Sequence, residues 1–293
     1  MVNRVTSQTR MANSQFNLQS AAALLAKLQD SATSLKKITK PSDDPTGTAD
    51  SMRVRAAQSQ TAQFGRNIED GIGWLSTVDA TLSASTDIMH QVRDLTVQGA
   101  NDGALSPTAK EAIATALEGL RSDLLGTANT TYLGRTVFAG SSDAGVAFRP
   151  DLSYTGTGAS VSRRIDTNAT VQVDADGAAA YGSGSSSAFA LIDTIVADLR
   201  SGVNVGPSLA AIDSRMTALL NTQTAAGARQ NQISAAKDAI VSKTGNLEAQ
   251  RAGIEDMDVG EIVIKLKQQE VTYQAALAVT ARTLQPTLMD FLR

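Results

Sequence analysis

Chemistry in a protein needs nucleophiles, titratable side chains or metal ligands at workable spacing, and this chain offers little of it. Its 293 residues include one histidine, His90, and no cysteine. Thiolate chemistry, disulfides and His/Cys metal clusters are therefore excluded. His90 lies on a helical stretch between Met89 and Val92, where a surface or packing residue is the simpler reading than a general base. "DADG" (174–177) opens like a calcium loop but lacks the later acidic ligand, so it reads as a hairpin turn. "GTGAS" (156–160) has neither the lysine nor the third glycine of a phosphate cradle. "NTT" (129–131) and "NAT" (168–170) fit the N-glycosylation pattern with no secretory signal ahead of them. Glu255, Asp256 and Asp258 read as a solvated break between helices. No enzyme emerges, and no cofactor or metal is expected.

Composition narrows the class further. Net charge is −3 with both signs interspersed, so no basic face for nucleic acid is evident. Residues 1–30 show no basic region followed by an apolar one, as a signal peptide would. No apolar run approaches the roughly 18–20 residues that span a bilayer. Aromatics are only 4%, and the apolar share comes largely from Ala, Leu, Val and Ile; Ala, Gln and Leu favour helix, and small residues let helices approach closely.

The elements that would position any functional residue are long helices. Leu18, Leu25 and Ala32 are seven apart, as are Ala21, Leu28 and Leu35, which is a narrow coiled-coil seam. "KKITKPSDDPTGTADSMRVR" (36–55) then breaks the helix. Pro41 and Pro45 disfavour helix just before them, while Asp44 is placed to cap a new helix with Pro45 at its first position. A second helix over Ala49–Gln98 carries Ile68, Leu75, Leu82 and Met89 at seven-residue spacing, backed by Phe64, Val78 and Val92. Gly65, Gly71 and Gly73 weaken its continuity. Ser106 and Pro107 start a third helix that runs out near "NTTYLGRTVFAG" (129–140). From Ser141 the texture turns to Gly, Ser, Thr and Asp. The alternating stretches "SVSRRID" and "ATVQVDA", separated by "TN", predict a β-hairpin bounded by a Gly/Ser linker at 182–187. Helix resumes over Ala188–Arg200 and Ser208–Gln223, and again from Ala225, with Ile233, Ile240, Leu247 and Ile254 seven apart. The register then jumps within "RAGIEDMDVGE" to Val259, Leu266 and Tyr273, with Val263, Leu277 and Leu284 beside them.

With these residues in place, the chain resembles a known family. "TKPSDDPTG" (39–47), "RNIEDGIGWLSTVDATLSASTDIMHQVRDLTVQGANDGALS" (66–106), "NTTYLGRTVFAG" (129–140) and the closing run 247–293 are similar to the flagellin superfamily. Within it, Lys40-Pro41-Ser42, "GRTVFAG" and the ending "LMDFLR" resemble the family of hook–filament junction proteins, the hook-associated protein 3 family. The resemblance implies a mainly α, elongated rod of long antiparallel helices from both chain ends with a small β insertion domain. It divides the chain into a polymerisation helix (1–40), helical rod (41–140), β insertion (141–187), helical rod (188–256) and a second polymerisation helix (257–293). It implies an extracellular place in the flagellum, reached by type III export without a cleavable signal peptide. The partners would be other copies, the first hook-associated protein, flagellin and an export chaperone, with neither nucleic acid nor membrane insertion.

From the pattern, residues 1–38 and 259–293 are expected to be loose in the monomer and to order on assembly. The expected interface residues are Leu18, Leu25, Leu28, Leu35, Val259, Leu266, Tyr273, Leu277, Leu284, Leu288 and Phe291. Pro41, Asp43, Asp44 and Pro45 would form the hinge and cap, and the β insertion would project outward. Flagellin itself, a secreted adhesin or enzyme built on residues 141–187, and an intracellular coiled-coil adaptor are the alternatives.

Overall fold

The computed structural model describes residues 7–101, 105–156 and 158–284. Among the described residues there are seven α-helices: α1 (Ser7–Ser34), α2 (Pro45–Gly99), α3 (Pro107–Ala128), α4 (Gly177–Tyr181), α5 (Ala188–Ser201), α6 (Ser208–Glu255) and α7 (Val259–Leu284). Two antiparallel hairpins complete the described residues, β1 (Thr131–Tyr132) with β2 (Arg135–Thr136), and β3 (Ser162–Asp166) with β4 (Ala169–Gln172). The chain is thus mainly helical with a small β component. Its contacts fall into two compact units, one formed by Gln60–Lys243 and the other by the residues up to Ser59 together with those from Thr244.

The Gln60–Lys243 unit has an extensive apolar core. Ile68, Leu75, Leu82 and Met89, the seven-residue set on α2, are buried, as are Phe64, Val78 and Val92. α2 does not break at its glycines. A Cβ at Gly71 would run into Ile233 of α6 and Val173, and one at Gly73 would run into Tyr132. The glycines are therefore seats for close neighbours, and that packing outweighs their low helix propensity. α6 likewise runs unbroken from Ser208 to Glu255, where the sequence suggested an interruption near residue 224. Ser106 caps α3 through Ala109 N–H, with Pro107 at the first position, as its residue types require.

Residues 141–187 join this core. Phe148, Val161, Ile165, Val171, Val173 and Tyr181 lie in one buried cluster with α2, α3 and α5 side chains. Five of the chain's few aromatics meet there, with Phe148 ringed by Tyr154, Tyr181 and Phe189 at centroid distances of 5.1, 5.7 and 5.1 Å. The Tyr181 hydroxyl lies 2.7 Å from Ser85 Oγ of α2. Nor is "DADG" a hairpin turn. Asp176 caps α4 by accepting from Ala178 N–H, and the buried Asp174 accepts from Val161 N–H at 2.9 Å. The expected Gly/Ser linker is a 3-10 turn (Gly184–Ser186) leading to Ser187, the cap of α5. Asn129, the first residue of "NTT", is engaged as well. Its side chain accepts from Ala147 and Phe148 N–H and donates to Phe148 O.

The other unit is built differently. α1 pairs with α7, and Gln269 Nε2 donates to Ala21 O at 3.1 Å. Among the described residues of this unit, Ile262 is the one fully buried apolar side chain.

Candidate assembly interface

The terminal helices and the breaks beside them carry the candidate functional surface. On α1, Leu18, Ala21, Ala22, Leu25, Leu28 and Ala32 are half-buried and Ser31 is buried. The matching face of α7 is Ile262, Leu266, Gln269, Tyr273, Ala276 and Thr280, at alternating three- and four-residue spacing. This is a coiled-coil-like seam. Of the expected set, Leu18, Leu25, Leu28, Leu266 and Tyr273 lie on it, and Ile262 and Thr280 were missed. Leu35, Val259 and Leu277 are exposed. The Leu284 side chain, Leu288 and Phe291 lie outside the described residues.

α7 also carries apolar residues off the seam. Ile264 and Val271, seven apart and 69% and 65% exposed, share the side turned away from α1. Val263 and Leu277, also exposed, lie between that side and the seam, while Val259, exposed at the first residue of the helix, is on the seam's own line, seven before Leu266. On α1, Met11, Phe16 and Leu24 are exposed too. Scattered single apolar residues on a surface are ordinary, whereas a row along one helix marks a contact site.

At the break, the two ends of the chain are tied together. α1 stops at Ser34, earlier than Pro41 alone would demand, because Leu35 turns into a left-handed conformation (φ 54°). Lys36 then bridges Asp256, Lys37 N–H donates to Glu255 O at 2.7 Å, and Met257 N–H donates to Leu35 O at 3.0 Å. Asp44 caps α2 by accepting from Gly47 N–H at 2.9 Å, with Pro45 at the first position. Asp43 is drawn below the ordinary carboxylate range by the Lys27 ammonium, assisted by Thr39 and Lys40 N–H.

Of the acidic group at 255–258, Asp256 and Asp258 are exposed at the break between α6 and α7, as expected, and Glu255 is not. Asp258 caps α7 through Gly260 N–H at 2.7 Å. Glu255 is buried, its side chain only 4% exposed. Arg55 clasps it with two hydrogen bonds of 2.8 Å, Ser51 Oγ donates to it, and Arg251 donates at 3.2 Å. Lys36 Nζ stands 4.0 Å away. The Arg55 guanidinium first, then the Ser51 hydroxyl, hold the Glu255 carboxyl down to about 2 from an ordinary 4.5.

That shift ties the joint to pH. A carboxylate depressed by folding contributes its stability in full above its unfolded pKa and loses it as pH falls through the folded one. Glu255 should therefore contribute about 3 kcal/mol at neutral pH. The contribution fades from about pH 4.5 and is gone below about 2. The Gln60–Lys243 unit holds carboxyls of both signs: Glu111, Asp151 and Asp166 are lowered, first by Arg200, Ser153 and Thr167 N–H respectively, and Asp174 is raised by burial. An acid titration followed by hydrogen exchange should loosen the joint around Glu255 as pH falls from about 4.5 to about 2. Protection of residues 35–37 and 255–257 that stays constant across that window would contradict this account.

Among the described residues no group of three or more His, Asp or Glu could hold a metal ion. No described helix is long and apolar enough to cross a membrane. Family comparison gives these helices a context. The profile of the bacterial flagellin N-terminal helical region matches residues 5–143, and that of the flagellin C-terminal helical region matches residues 209–292. The chain belongs to the flagellin family and is a flagellar structural protein. Within that family it is 24% identical to flagellar hook-associated protein 3 of Salmonella typhimurium, over 93% of this chain and 94% of that one. It is 23% identical to the flagellin of Bacillus subtilis over 95% of each chain. The flagellar junction protein FlgL from Legionella pneumophila shares the fold, with a TM-score of 0.58 at 17% identity over 71% of this chain and 100% of that one.

Proposed function

We propose that this chain is a subunit of the junction between the flagellar hook and its filament, assembled through the faces of its terminal helices. The carrying observation is the exposed apolar surface of α7 beside and behind its seam, Val263, Ile264, Val271 and Leu277, left uncovered when the seam is used against α1. A contact of that surface with a different face of the next copy is heterologous, so it propagates around a tube instead of closing a dimer. Similarity to hook-associated protein 3 along nearly the whole chain favours the junction position. On that reading one rim of the tube meets the first hook-associated protein and the other meets flagellin. The subunit reaches the cell exterior by type III export without a cleavable signal peptide, accompanied by an export chaperone.

A strain lacking the protein should build intact hooks and shed flagellin into the medium. Normal filaments in that strain would refute the junction role. The similarity to flagellin supports a second reading, the filament subunit itself. Purified protein that polymerises alone into long filaments would favour that reading.

A further inference from the structure

The terminal unit holds together without a conventional core. Its seam matches Ala21, Gln269, Ala276 and Thr280 where large apolar residues would be expected. A pair of helices under thirty residues each with so thin a seam is marginal in water. One feature of the unit is densely bonded, the cluster around Glu255. It joins side chains more than 200 positions apart in sequence, Ser51 to Glu255 being 204 apart.

We infer that the joint centred on Glu255 is the fastener that keeps α1 and α7 paired in the free subunit. Two backbone hydrogen bonds hold residues 35–37 against 255–257. The carboxylate fixes the start of α2 to the end of α6 through Ser51, Arg55 and Arg251. With this corner closed, the two helices leave it side by side, and zipping their seam needs no further long-range search. With it open, each helix has only its own weak stripe. Glu255 is thus a positioning residue for the assembly surface rather than part of it. The inference concerns the isolated chain and stands whichever flagellar role the chain plays.

The full-length chain tests this directly, because its one tryptophan, Trp74, is buried in the other unit and reports that unit's melting separately. In Glu255→Gln, hydrogen exchange across residues 7–34 and 259–284 should accelerate by about tenfold or more. The Trp74 melting transition should move by less than about 2 °C. Arg55→Met should reproduce the pattern. Glu248→Gln, which removes an exposed carboxylate also paired with Arg251, should change exchange little. Unchanged exchange in Glu255→Gln would show that the seam suffices alone. A Trp74 transition falling in step would make Glu255 ordinary structural support for the whole chain. Either result overturns the proposal.

Discussion

Placing aspartate at both Ile264 and Val271 should leave the isolated subunit folded and abolish its assembly. The two residues are seven apart on α7 and exposed, facing away from the α1 seam. In the free chain, each substitution costs about 0.5 kcal/mol of helix propensity and little else. In an assembled contact, each carboxylate would be taken out of water without a cation reserved for it, at a cost of several kcal/mol. Two such penalties at each contact should weaken assembly by about a thousandfold or more. Sedimentation and electron microscopy would read the loss, while circular dichroism and Trp74 fluorescence would report the fold. Leu28→Asp provides the contrast, because Leu28 lies on the intramolecular seam. That variant should already loosen the α1–α7 pair in the monomer. Normal assembly of the Ile264/Val271 double variant would remove the outer side of α7 from the mechanism.

The helical frame was legible because long helices buried on one face write their period plainly. Ile68, Leu75, Leu82 and Met89 read as a stripe and are a stripe. Caps were legible too, since Asp44-Pro45 and Ser106-Pro107 act locally. What the sequence hid depends on partners distant along the chain. Gly71 and Gly73 look like weak points until Ile233 and Tyr132 are seen to need the space. Glu255 looks like one of three solvated acids until Arg55, 200 positions earlier, is brought to it. The α7 seam misled for another reason. Val259, Leu266 and Tyr273 are on one line of the helix, but the α1 contact covers only the last two, and Leu277 lies beside the seam while Gln269 and Ala276 line it. A seven-residue rhythm fixes a line on a helix, not how far along it a partner reaches or which neighbouring positions that partner covers.

Phe148→Ala should produce the largest loss of stability, and it decides whether residues 141–187 are an appendage. Were this segment an outward insertion, removing one of its side chains would leave the helices unaffected. Phe148 is instead almost fully buried, between Tyr154 and Tyr181 of its own segment and Phe189 of α5. Truncating a phenylalanine in such a place costs about 3–5 kcal/mol, because the surrounding rings cannot close the cavity. For a unit of this size that corresponds to a fall of about 10 °C in the Trp74 melting transition. The same contacts bear on the adhesin or enzyme alternative. A 141–187 fragment would leave behind Phe189 and also Ser85, whose hydroxyl meets Tyr181, so it should not fold alone. A Phe148→Ala protein melting within about 2 °C of the parent would restore the idea of a separable domain. A cooperative drop of the expected size would mean that variation in this segment is constrained by the α2, α3 and α5 side chains beneath it.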